Sequence, residues 1–328
     1  MEVEVLKDEN KYEEYVKDKS FFHSLKYRDS IVNTFNFEPI YLVAKTRSSI
    51  KGVLPLFICN NKLISLPFST EGGIIAENDD AREHLISEAL RIVKERKLDY
   101  FELREKEDYV SGLEDKDYYY HLVMEMENEE SVWKAFDKKL RNAIRKAEKL
   151  KLTTDSGLKY LDDFYRIYQE NMRDLGSPVD DKKFFEELVR NFEDNIDIIV
   201  TKKDEEVISA LFLIKYGDTV KSEWASSYRK YFGMNSAQLT YWEAIKKYCN
   251  DYDYFDFGRS VEDEGTWKFK RKFNAKPKQL FYKFFLNNCD MPNTLKTSTK
   301  RKVFSFIWKK LPLFVTNHIG PILRRRFA

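Results

Sequence analysis

Apolar and polar positions alternate along the chain in two periods, and the order of those periods predicts the elements. In the first half Tyr41-Leu42-Val43-Ala44-Lys45 predicts a strand, polar residues 46–49 a turn, and Val53-Leu54-Pro55-Leu56-Phe57 a second strand. From Asp79 the period becomes helical, with Leu85, Ala89, Ile92 and Val93 on one face, and Asp99–Arg104 reads as a strand. The second half repeats this order. Ile198–Lys202 and Ala210–Ile214 predict a hairpin turning at Lys203–Glu206. A helix from Ser236 carries Leu239, Trp242, Ala244, Ile245 and Tyr248, and Asp253–Phe257 is the closing strand.

The recurrence reads as a duplication. The offset is 156 residues from Leu54 to Ala210 and 154 from Tyr100 to Tyr254, and Lys11–Tyr15 matches Lys159–Phe164 ahead of each hairpin. Each half therefore runs helix, hairpin, further strand, helix, strand. That order resembles the GNAT acyltransferase superfamily, which implies an α/β (α+β) fold of two tandem GNAT-like domains with mixed, splayed sheets. The expected divisions are 1–130 for the first domain, 131–290 for the second with a basic linking helix over 132–151, and 291–328 for a basic amphipathic tail.

Composition narrows the classes. The three cysteines, Cys59, Cys249 and Cys289, form no CxxC pair, which argues against a disulfide framework or a zinc knuckle. The four histidines show no HExxH spacing, so no metal site is expected. The charged start MEVEVLKDENKYEEY has no apolar core for a signal peptide, and no apolar run reaches the ~18 residues of a membrane span. A cytoplasmic protein is expected. Net charge is +2, but nine basic and no acidic residues follow Asp290, leaving 48 basic against 55 acidic residues before them. A negative body with a positive end suits an anchored protein better than a general nucleic-acid binder. The tail mixes those bases with Phe304, Phe306, Trp308 and Phe314. It fits either a helix lying on the inner face of the cell membrane or a helix packed on the body.

Four second-half segments carry a closer resemblance: Leu140–Lys149 (LRNAIRKAEK), Leu175–Val179 (LGSPV), Asp256–Ser260 (DFGRS) and Trp267–Lys270 (WKFK). With Gly52–Leu56, Leu66–Phe68 and Gly72–Ile74 of the first half, they make the chain similar to the FemAB-type peptidyltransferases over roughly residues 20–320. The resemblance implies a substrate cleft between two GNAT-like domains and transfer of an amino acid from aminoacyl-tRNA to an amine of a cell-wall peptide precursor. Others of the wider group use acyl-thioester donors. It further implies that Phe269-Lys270 stabilises the tetrahedral intermediate. The long coiled-coil insertion of some members is absent here.

Acyl transfer requires a neutral amine, an activated carbonyl and a positive group where the oxyanion forms. No GxSxG elbow is present. Trp267, Phe269 and Phe273 alternate with Lys268, Lys270 and Lys272, which reads as a strand with rings on one face and lysines on the other. Lys270 is there either the oxyanion donor or part of an ordinary solvated face. Arg259 follows the strand Tyr254–Phe257 after Gly258. It is placed either to fork onto a carboxylate or phosphate or to form a structural ion pair. On the helix predicted from Val132 to Lys151, Trp133, Phe136, Leu140, Ile144 and Ala147 form an apolar stripe beside the bases Lys138, Arg141, Arg145 and Lys149. Arg141 and Arg145 are candidates for the phosphates of tRNA or of a nucleotide- or lipid-linked precursor. Ser227, Asn235 and Tyr241 complete the candidate substrate-binding set. The segment Arg229–Asn235 is one residue too long for a pyrophosphate loop and has Asn at the second glycine, which disfavours CoA.

The sequence thus points to an aminoacyl- or acyltransferase forming an amide on a peptidoglycan-like envelope precursor, with no bound cofactor beyond its acyl donor. A CoA-dependent N-acetyltransferase and a non-catalytic envelope-precursor binding protein are the alternatives.

Overall fold

The computed structural model describes residues 1–47, 49–116, 119–292 and 299–326; Ser48, Lys296 and the side chains of Lys300 and Arg301 lie outside the described residues. The chain divides into two compact units, the first from described residues of 1–119 and 279–292, the second from 120–278 and 299–325. The first unit therefore takes in a late segment that the expected second domain, 131–290, had included.

The first unit runs β1 (Glu2–Val5), α1 (Glu9–Val16), α2 (Leu25–Phe35), β2 (Glu38–Thr46), β3 (Ser49–Cys59), β4 (Lys62–Ser65), β5 (Ile75–Ala76), α3 (Asp79–Glu95), β6 (Tyr100–Glu105) and β7 (Glu114–Asp115). The second runs β8 (Tyr119–Glu125), α4 (Glu129–Ala135), α5 (Lys138–Lys149), β9 (Thr153–Ser156), α6 (Leu161–Leu175), α7 (Lys182–Asn191), β10 (Ile196–Lys203), β11 (Glu206–Tyr216), β12 (Thr219–Ser227), α8 (Ser236–Tyr248), β13 (Tyr254–Val261) and α9 (Gly265–Arg271). Then β14 (Lys276–Leu286) returns to pair antiparallel with β6, and α10 (Thr299–Trp308) and α11 (Leu313–Arg326) close the described chain.

The duplication is visible in backbone detail. The β2–β3 hairpin turns between Thr46 and Ser49 with Arg47 at φ 53° and a bulge at Ala44/Lys45. The β10–β11 hairpin turns between Lys203 and Glu206 with Asp204 at φ 54° and a bulge at Thr201/Lys202. Two-residue turns with positive φ match the strand twist, and a bulge at the same distance from each turn sets the same coil. Among the described pairings each unit also contains a parallel pair, β4 with β6 and β12 with β13.

Helices cover both faces of each sheet. In the first unit α3 buries Ala81, Leu85, Ala89, Ile92 and Val93 against Leu42 and Leu54, capped by Asn78, whose side chain accepts from Ala81 N. On the opposite face Tyr12 of α1 meets Tyr41, which meets Phe57. In the second unit Leu211 and Leu213 share a core with α5 and α8, while Phe212 turns to Phe164, Phe185 and Trp224. Adjacent strand positions point to opposite faces, so a continuous apolar run like β11 is what a sheet covered twice requires.

Three expectations are corrected. The single helix over 132–151 is two: Phe136 leaves the helical region, and the carboxylate of Asp137 accepts from Lys139 N and Leu140 N, which starts α5 afresh. Residues Trp267–Phe273 are not a strand. They form α9 and the turn after it, burying Trp267, Lys270 and Phe273 at three-residue steps while Lys268 and Lys272 stay exposed. Arg259 does not follow its strand but lies within β13.

Candidate functional site

The parallel pair in the second unit is short. β12 and β13 are in register only over Thr219–Lys221 and Tyr254–Asp256, although both strands run on. Gly258 marks the parting. Its φ of 72° lies in the left-handed region, and a Cβ there would stand 3.0 Å from the carbonyl oxygen of Ser222. Its amide donates to Asp256 Oδ1 at 2.7 Å. The kinked strand exposes two successive carbonyls, those of Gly258 and Arg259, to Lys270 Nζ, each at 3.0 Å.

Lys270 is therefore a buried ammonium on the inner side of α9. Burial lowers its pKa to about 8, opposed by the nearby carboxylates of Asp256 and Glu223 and assisted by Lys221 and Arg259. Around it the strands supply further buried charge. Lys221 Nζ lies 3.3 Å from Glu223 and 3.5 Å from Asp256. The second carboxylate oxygen of Asp256 accepts from Nδ1 of His121, on β8, at 2.9 Å, which fixes the proton on Nδ1. A concentration of charge this deep in a domain is costly unless each group is paired, and it marks functional sites more often than packing sites.

Phe269, half-buried, packs edge to ring against Phe273 and within 5.5 Å of the Tyr241 ring. Tyr241 is buried, stacks on Phe257, and accepts from Ser222 Oγ at 3.3 Å; burial pushes its phenol up to about 12. Lys270, Phe269, Tyr241 and the backbone of Arg259 thus come together, with the Arg259 side chain exposed.

The remaining expected residues stand elsewhere in the second unit. Ser227, at the end of β12, joins a hydroxyl chain through Ser209 to Thr240 and Thr201, each link 2.8 Å. Asn235 adopts φ 58° and starts α8 without a side-chain cap bond, after a 3₁₀ turn over Arg229–Met234. Arg141 donates to the Lys134 carbonyl at 3.2 Å. Arg145 lies over the Trp133 ring at 5.4 Å and lines a groove of about 600 Å³ with Glu129, Glu130, Glu148, Trp242 and Lys246. No member of the Lys270 cluster lines that groove.

Sequence reasoning missed Lys221, Glu223, Asp256 and His121. A signal was present: Lys221 and Glu223 share one face of a strand, and Asp256 interrupts the apolar run Phe255–Phe257. A charge at an inward strand position has to be explained by a partner or a function.

In the first unit β4 ends at Ser65, one residue past its register with β6, while β6 runs on to Glu105. Beyond the β4–β6 pairing, Arg104 donates to the Ser69 carbonyl at 2.9 Å and its amide to Ser65 Oγ at 2.9 Å. Glu105 accepts from Ile74 N at 2.9 Å, and His23 bonds the Gly73 carbonyl at 2.8 Å.

Residues 134–271 match the family described as an acetyltransferase (GNAT) domain, which spans the second unit's hairpin, α8, β13 and α9. FemX shares the fold at a TM-score of 0.66 and 13% identity, over 88% of this chain and 98% of FemX. L-PGS from Bacillus licheniformis aligns at 0.56 and 11% identity, over 95% and 97%. The C-terminal domain of a putative lysylphosphatidylglycerol synthetase from Agrobacterium fabrum aligns at 0.56 and 9%, over 84% and 91%. No curated protein is similar in sequence. The fold is the tandem, FemX-like GNAT fold, with two α/β units on mixed sheets.

Proposed function

We propose that the chain is an acyltransferase that moves an aminoacyl group from charged tRNA to an amine of a cell-envelope precursor. The observation that carries this reading is the buried Lys270 ammonium, held by the Gly258 and Arg259 carbonyls where β12 and β13 part. Two of its three N–H groups meet those carbonyls, and the third is assigned to the oxyanion. The acceptor nitrogen attacks the ester carbonyl, and the negative oxygen of the tetrahedral intermediate forms beside a cation already desolvated and oriented. The intermediate then collapses: the carbonyl re-forms, the C–O ester bond breaks, and a proton from the attacking amine ends on the leaving hydroxyl. Phe269 and Tyr241 wall the site against water. No bound cofactor is needed; the activated donor supplies the leaving group.

The choice of an aminoacyl donor and an envelope acceptor is supported by the likeness to FemX and to a domain whose name is that of a putative lysylphosphatidylglycerol synthetase. The exposed bases of α5, with Lys138, Lys146 and Lys149 beside Arg145, are the proposed contact for tRNA phosphates, Arg141 adding to them from a half-buried position. Incubation with charged tRNA and envelope precursors, read by mass spectrometry of the acceptor, tests the reading. An aminoacylated acceptor that disappears with Lys270→Ala supports it. Transfer from acetyl-CoA and not from charged tRNA replaces the donor, and no transfer from either removes the enzyme assignment.

A further inference from the structure

The last two helices hold to the second unit by one face each. Trp308 of α10 is buried, with Phe304 stacked on it at 5.3 Å. Ser305 lies so close to Gly176 that a Cβ there would clash with it. In α11, Thr316 and Gly320 are buried, Gly320 against Val179, and Arg324 Nε donates to the buried Asp180 at 2.6 Å. Packing against the body is thus real, and it leaves the opposite faces uncovered.

Those faces are unusual. Val303, Phe306, Ile307, Phe314 and Ile322 make up five of the ten strongly exposed large apolar side chains among the described residues, Phe306 at 61% and Phe314 at 75%. On α10 they recur with Lys302 at one helical stripe, and from the turn just after it Lys310 Nζ reaches over the Phe306 ring at 4.1 Å. On α11, Phe314, His318, Ile322 and Arg325 form the exposed stripe. No carboxylate occurs in the sequence after Asp290.

We infer that these two faces dock on an anionic lipid surface, with Phe306, Ile307 and Phe314 at the acyl boundary and Lys302, Lys310 and Arg325 at the lipid phosphates. Charge selects this occupant. A second copy would bring the same cations face to face, whereas a bilayer rich in phosphatidylglycerol neutralises them while covering the rings. No helix among the described residues is long and apolar enough to cross the membrane, so the contact is one of surface lying, not spanning. The docking surface shares no residue with the Lys270 cluster; if both readings hold, it brings a lipid-linked acceptor to the enzyme.

Flotation of the full chain with vesicles tests it. The expected result is association with phosphatidylcholine–phosphatidylglycerol vesicles, little with phosphatidylcholine alone, and loss in high salt. Phe306→Ser, Ile307→Ser and Phe314→Ser together should lower partitioning at least about tenfold. Lys302→Gln and Lys310→Gln should each lower it about fivefold. Circular dichroism and the thermal midpoint of these variants should match wild type, since the side chains are exposed. Wild-type protein that stays out of the vesicle fraction, binds neutral vesicles equally, or binds undiminished in the triple serine variant overturns the inference. So does a concentration-dependent dimer that the serine variant abolishes. Transfer to a water-soluble acceptor, measured on the same variants, reports separately on the catalytic reading.

Discussion

Lys270 donates through Nζ to the carbonyl of Gly258 at 3.0 Å, twelve residues back along the chain. A glycine in the left-handed region thereby turns a strand carbonyl into the seat of a buried cation. The expected consequence of removing that cation is specific. Lys270→Ala should lower kcat ~10²–10³-fold, the loss seen when one oxyanion donor is deleted. Binding of the acyl donor should change far less. Steady-state and single-turnover rates on the purified variant check this, and a variant with wild-type kcat ends the assignment.

The same ammonium sets a pH dependence. Burial lowers the Lys270 pKa to about 8, so the charged form that the proposed oxyanion contact requires is present below that pH and lost above it. The rate should therefore fall as pH rises through about 8, where an unburied lysine would hold its charge to about 10.5. For stability the sign is the reverse. The folded state releases this proton earlier than the unfolded one, so stability from this group grows as pH rises from about 8 to 10.5. A rate profile flat to pH 10 rejects the role.

Gly258→Ala tests how the seat is built. A Cβ at φ 72°, 3.0 Å from the Ser222 carbonyl, costs ~1–3 kcal/mol and moves the backbone that holds Nζ. Activity should fall together with a lowered denaturation midpoint, whereas Lys270→Ala should spare the midpoint more than the rate. A Gly258→Ala variant whose midpoint falls while its turnover stays at the wild-type level would separate the glycine from the site.

How much of this was legible in the sequence depends on the distance over which each feature is decided. The hairpins and the helices α3 and α8 were legible because their periods are long and consistent, Leu85–Val93 and Leu239–Tyr248 among them. The stretch Trp267–Phe273 reads two ways because Trp267, Phe269 and Phe273 fit a period of two, broken only at Arg271, while Trp267, Lys270 and Phe273 fit the helix that forms. The break at Asp137 was written in a capping residue inside an otherwise continuous stripe. The His121–Asp256 pair, 135 residues apart, and the return of β14 to β6 are set by tertiary partners, which no local pattern carries. Lys270 was reached through resemblance, but its burial and carbonyl partners came only from the fold.

Glu105 gives the first unit its own titration. It is buried beside Gly73, where a Cβ would overlap the carboxyl group, and burial pushes its pKa from 4.5 up to about 7 despite the Ile74 amide, Arg82 and Lys283. The folded state thus binds this proton more tightly than the unfolded state. Its contribution to stability is complete below about pH 4.5 and is lost as pH rises through about 7. Glu105→Gln keeps an acceptor for Ile74 N and carries no charge. Urea denaturation across this window should show a smaller decline with pH in the variant, and an unchanged slope would count against it.

The hold on α11 is tested at Asp180. Its side chain, almost wholly buried, accepts from Arg324 Nε and from the Tyr168 hydroxyl, while its backbone carbonyl accepts from the Tyr165 hydroxyl at 2.9 Å. Arg324→Ala would strand a carboxylate away from water with only a phenol beside it, which costs ~3–5 kcal/mol for a buried pair broken on one side. Arg324 is itself about one-third exposed, so the lower end is expected. Asp180→Asn in the Arg324→Ala background removes the stranded charge and should recover part of the loss. That recovery, read as a thermal midpoint in a double-mutant cycle, separates an ion pair that pins the last helix from a contact that merely lies near it.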